Sequence, residues 1–144
     1  MQYKPFDEAT QFFIDTVAKV RPEQWDDPAL GVWNVRDLVG HTSRALLTAM
    51  EYAERPADKR EIASSAQYYH VALGVEGIDD RVAERGRVAG EQLGTDPVGF
   101  VNDAADRVRP VIDRMDADAL IDFNGKGIRY GDYLPTRVLE LTVH

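Results

Sequence analysis

Three side chains of this sequence could hold one metal ion between them: His41, Glu140 and His144. Glu140 and His144 stand four residues apart, and on an α-helix such residues project from one face, one turn apart. A carboxylate and an imidazole so placed can grip a divalent cation from one side. His41 lies roughly a hundred residues earlier and would have to come from a facing helix, which is how metal sites are commonly assembled inside helical bundles. The chain has three histidines in all, so the constellation uses two of them. Helical spacing alone carries little weight, because motif matches bring a real false-positive risk. The surroundings add to it.

Glu140 stands in the largely apolar run Arg137-Val138-Leu139-Glu140-Leu141-Thr142-Val143-His144, and His41 in Leu38-Val39-Gly40-His41-Thr42. A buried carboxylate must be paired, hydrogen-bonded or metal-bound. The competing readings are an intrahelical pair of Glu140 with Arg137, an exposed Glu140, and a core histidine that bonds one carbonyl. Arg137, one turn before Glu140, is either an anion clamp for a carboxylated substrate or a helix-surface salt bridge to Glu140 or Asp132; the salt bridge is the commoner fate. Gly40 lowers helix propensity beside His41, and a close approach of another helix or a ligand would explain it. Thr48, two turns after His41, either faces the same pocket or is a helical threonine with no chemical part. Trp33 reads as a packing residue at the start of that helix, and His70 as a partly exposed residue of a short helix.

The elements that must position these groups are helical almost throughout. Phe6, Phe13, Val17 and Val20 recur at helical spacing until Arg21-Pro22. Residues 22 to 33 read as a loop. Asn34 is a good N-cap for a second helix, with Asp37 placed to favour its positive end. Residues 56 to 76 read as a loop and a short helix. A third long helix runs from Ile78 to Leu93 and stops at Gly94. Asp96-Pro97 opens a fourth, with Pro110 inside it as a source of bending. Phe123 to Gly131 reads as a turn-rich segment or short hairpin, and Pro135 as the opening of the last helix. The fold expected is all-α, an up-and-down bundle of four principal helices with an extra short helix, in one domain spanning residues 1–144.

Composition narrows the chemistry. With no cysteine, disulfides, Cys-ligated zinc, iron–sulfur clusters and a cysteine nucleophile are excluded, so any thiol chemistry must bring its sulfur with a ligand. The formal net charge of −8 opposes binding to nucleic acid or to anionic membrane, both of which need a basic surface. No apolar run reaches membrane-span length and the start, MQYKPFDEAT, lacks a signal-peptide pattern. A cytoplasmic protein acting on a small molecule is expected.

The run Gly31-Val32-Trp33-Asn34-Val35-Arg36-Asp37-Leu38-Val39-Gly40-His41 resembles the tryptophan-to-histidine signature of the mycothiol-dependent maleylpyruvate isomerase N-terminal domain, within the DinB-like helical-bundle superfamily. Arg137 to His144 resembles the same family's arginine, glutamate and histidine element on its last bundle helix. The resemblance implies that His41, Glu140 and His144 ligate a divalent metal, zinc first, with a position left for water or substrate. It also implies a low-molecular-weight thiol such as mycothiol as cosubstrate. Its thiolate would attack an electrophilic carbon; addition, bond rotation and elimination would make an isomerase, and release of the adduct an S-transferase. Metal-dependent hydrolysis uses the same ligands. The alternative is a non-catalytic metal- or ligand-binding bundle, or an interaction module. Family enzymes carry a further C-terminal domain, so the chain reads as shortened at its C-terminus, and a homodimer is in keeping with such bundles.

Overall fold

In the computed structural model, which describes residues 1–74 and 78–143, the helical periodicity becomes six α-helices among the described residues. These are α1 (Lys4–Ala18), α2 (Val35–Ala53), α3 (Ser65–Leu73), α4 (Ile78–Gln92), α5 (Pro97–Arg114) and α6 (Tyr130–Val143). Two small antiparallel pairs accompany them, β1 (Pro28–Leu30) with β2 (Trp33–Asn34) and β3 (Leu120–Phe123) with β4 (Lys126–Arg129). The protein is therefore mostly helical, as expected, with two small sheets. The stretch read as a loop from 22 to 33 holds a single 3-10 turn, Pro22–Gln24, and then the β1–β2 pair.

Local chemistry sets most of the boundaries. The Asn34 side chain accepts a hydrogen bond from the Asp37 amide at 2.8 Å while Asp37 Oδ2 receives the Asn34 amide at 3.4 Å. This reciprocal cap satisfies donors that the first turn of a helix cannot use. Asp96 caps α5 through the Gly99 amide, with Pro97 in the first turn. Pro110 sits on the exposed side of α5, where water can reach the carbonyl its missing N–H leaves unpaired. Asn124 and Gly125 both have positive φ, 50° and 86°, the signature of a two-residue type I′ turn. They close the β3–β4 hairpin, in which Phe123 pairs with Lys126.

The last helix starts earlier than Pro135 suggests. Its first residue is Tyr130, and Pro135 lies inside. The Tyr130 and Gly131 amides, which have no intrahelical acceptor, donate instead to the Ala119 and Ala117 carbonyls at 2.8 Å each. The preceding turn thus caps the helix from outside, and proline is not needed to begin it.

Helix α1 packs on α5 and α6, and α2 packs on α5, α6 and α4. Phe6, Phe13 and Val17 of α1 meet Leu46 and Ala49 of α2, Val101, Ala104 and Val108 of α5, and Leu134 and Leu141 of α6 in one buried core. No helix among the described residues is long and apolar enough to cross a membrane.

Candidate functional site

The site begins with how α2 is held. A Cβ added at Gly40 would collide with the backbone of Ala89 and Gly90, so α2 and α4 touch main chain to main chain. Gly90 lies in turn against Asp37, and Gly86 against the Trp33 indole. Trp33 Nε1 donates to the Ala83 carbonyl at 2.9 Å, and Arg36 Nη1 to the Gly94 carbonyl at 2.9 Å. That places a cation on the negative end of α4. The close helix approach anticipated at Gly40 is what the structure contains. His41 is the next residue, and its ring lies 4.5 Å, centroid to centroid, from the Trp33 ring at 32°.

From there the imidazole reaches α6. His41 Nε2 is 3.7 Å from Glu140 Oε2, and the two side chains are 18% and 19% exposed. They are shielded but open to a small solute. The Tyr69 hydroxyl, on α3, shares its one proton between the Thr136 carbonyl at 3.1 Å and Glu140 Oε1 at 3.4 Å. Burial first, and the Glu140 charge next, push the Tyr69 phenol well above its ordinary value, so it stays a donor. The two carboxylate oxygens are therefore divided, Oε1 toward Tyr69 and Oε2 toward His41.

Does this pair suit a metal ion? Two ligands each about 2 Å from one tetrahedral ion stand roughly 3.3–3.5 Å apart. The observed gap of 3.7 Å needs only a small adjustment, and the donor set is the nitrogen-and-oxygen type that zinc accepts. The residues fit. His144, the third proposed ligand, lies outside the described residues. Among those described, no three His, Asp or Glu side chains gather into a metal-holding group.

Arg137 overturns the preferred reading of its role. It makes no salt bridge among the described residues, and its side chain is buried, 8% exposed. Its Nε donates to Thr136 Oγ1 at 3.0 Å, Nη1 to Thr48 Oγ1 at 3.3 Å and Nη2 to the Tyr68 hydroxyl at 3.0 Å. Asp132, the other supposed partner, pairs with Arg129 at 3.0 Å and Arg60 at 3.4 Å. Burial opposes the guanidinium charge, but the surrounding Tyr133, Tyr68 and Glu140 more than offset it and hold the pKa above its ordinary value.

A cavity of about 940 Å³ joins these groups. His41, Glu140, Thr48 and Arg137 line it together with Trp33 and a set of aromatic side chains: Tyr68 and Tyr69 of α3, Phe123 of β3 and Tyr133 of α6. His70 is exposed and is not part of the lining. Thr48 faces the cavity as expected. The aromatic set went unread in the sequence. Tyr133 could have been found, since it stands four residues before Arg137 and shares its helix face. Tyr68 carried no local signal beyond its place in a short helix.

The sequence model of one family, described as the mycothiol maleylpyruvate isomerase N-terminal domain, matches residues 6–144. No curated protein and no solved structure matches the chain.

Proposed function

Because the chain belongs to the mycothiol maleylpyruvate isomerase N-terminal domain family, we propose that it is a thiol-using isomerase or S-transferase for a small electrophile, with mycothiol as the thiol and a divalent ion, zinc first, held by His41, Glu140 and His144. The observation that supports this most is the approach of His41 to Glu140 at the wall of a single large cavity. Such an ion, when bound, supplies a Lewis acid that lowers the pKa of a coordinated thiol or water.

The chain's own side chains do the rest. Trp33 stacks on His41 and fixes the plane of the imidazole. Tyr69 holds Glu140 Oε1 and so leaves Oε2 facing His41; orienting partners of this kind tune ligating groups. The aromatic walls exclude water from a nucleophile placed between them, which raises its reactivity toward an electrophilic carbon. The volume, about 940 Å³, is at the upper end for small-molecule sites and suits a thiol and a second substrate side by side. The contacts of α1 with α5 and α6, and of α2 with the same two, support reading these four helices as a DinB-like bundle with α4 added on the outside.

The test is turnover of monochlorobimane and of maleylpyruvate with and without mycothiol, before and after treatment with EDTA. Thiol-dependent turnover that EDTA abolishes and zinc restores is expected. No turnover with any of several thiols would leave the alternative, a non-catalytic ligand-binding bundle.

A further inference from the structure

We propose that the inner end of the cavity is a carboxylate subsite, where Arg137 receives the carboxylate of a small, flat, unsaturated or aromatic acid. This goes beyond the metal reading and does not rest on it.

The first observation is the company Arg137 keeps. Its hydrogen bonds all go to neutral hydroxyls, those of Thr136, Thr48 and Tyr68. A guanidinium carries five N–H donors, so two remain after these three bonds. Buried charges are ordinarily paired, yet no carboxylate among the described residues is hydrogen-bonded to this one. Glu140 acts on it through space only and is aligned toward Tyr69 and His41. Against the same guanidinium lies the Tyr133 ring, whose buried hydroxyl interacts with the Thr48 hydroxyl that Arg137 also uses. Donors in excess at one buried point call for an acceptor, and an anionic one satisfies the charge as well.

The second observation is electrostatic. The whole chain has a formal charge of −8, but the cavity lining reverses the sign. Among the described residues, Arg44, Arg81, Arg85 and Arg137 line it against two carboxylates, Asp79 and Glu140. An acidic protein with a cationic cavity attracts anions to that cavity and little else.

The third is shape. The guanidinium carbon lies 5.0 Å from the Tyr133 ring centre and 5.6 Å from that of Tyr68, so aromatic rings lie close against it and favour approach at its N–H edge, the geometry in which a carboxylate binds in plane. From that edge the wall continues as a closed circuit of rings. Tyr68 meets Phe123 at 4.6 Å, Phe123 meets Tyr52 at 5.8 Å, Tyr52 meets Tyr133 at 5.5 Å and Tyr133 meets Tyr68 at 5.7 Å. A flat apolar body is what such a wall accommodates.

Calorimetric titration of the full chain with benzoate and cinnamate, with the neutral isostere benzamide and with inorganic phosphate, decides the matter when done in EDTA and again with zinc. Benzoate or cinnamate should bind in EDTA, with benzamide and phosphate about tenfold weaker or more. Arg137→Lys, which keeps the charge and loses the fork, should weaken the acids about tenfold. Tyr68→Phe, which removes one anchor of the guanidinium, should weaken them several-fold, and it decides the case if the Arg137 variant fails to fold by circular dichroism. The proposal is overturned by equal binding of benzoate and benzamide, by wild-type affinity in the folded variants, or by no binding of either acid. Binding only with zinc also overturns it, because the carboxylate would then belong to the ion; that result would leave the metal reading standing, whereas acid binding without any zinc uptake would sink the metal reading alone.

Discussion

The two sides of α2 meet their neighbours in opposite ways. Toward α4 the contact at Gly40 is backbone against backbone and leaves no space for a side chain. Toward α6 the side chains are long and polar, and a cavity opens between them. The first contact gives the second its precision: His41 follows Gly40 directly, so the backbone that fixes one side of the helix also fixes where the imidazole starts. Rigidity and vacancy are one residue apart.

Substitutions on the two sides should therefore separate stability from ligand binding. Gly40→Ala has the largest expected effect on folding. Helix propensity alone favours alanine by about 1 kcal/mol, but overpacking against main chain, which cannot rotate away, costs about 3 kcal/mol. The net is a loss of about 2 kcal/mol in urea unfolding, and an unchanged midpoint would refute the backbone contact. Gly86→Ala meets a side chain, the Trp33 indole, which can yield, so a smaller loss of about 1 kcal/mol is expected. A loss equal to that of Gly40→Ala would erase the distinction between the two kinds of contact.

On the open side the order reverses. Tyr69→Phe should cost under about 1 kcal/mol of stability and weaken zinc binding about tenfold, read by competition with a chromogenic chelator. His41→Gln should change unfolding by about 0.5 kcal/mol or less while zinc uptake in equilibrium dialysis is lost. If His41→Gln unfolds the protein instead, the imidazole is a core residue and the comparison between the two sides fails.

What could be read in the sequence was what short-range chemistry decides. Asn34 with Asp37, Asp96 with Pro97, and the Asn124-Gly125 turn each state a boundary within four residues, and the structure follows them. Gly40 announced a close neighbour without naming it. Pro135 misled because the caps of α6 come from the Ala117 and Ala119 carbonyls, outside the helix. Arg137 misled for a similar reason at longer range. Its acceptors Thr48 and Tyr68 come from α2 and α3, and no spacing within α6 reveals that these would close over it. The approach of His41 to Glu140 was suggested by the two motif-bearing segments together, since neither segment alone locates the other.

The stacking of Trp33 on His41 has an optical consequence. Indole emission responds to the groups in contact with the ring, so this fluorophore should brighten or dim with whatever occupies the cavity beside it. The chain has one other tryptophan, Trp25, outside the cavity lining, whose emission in the same band is a background that Trp25→Phe would remove. Trp33 emission in that variant is therefore expected to follow binding in the cavity without a label.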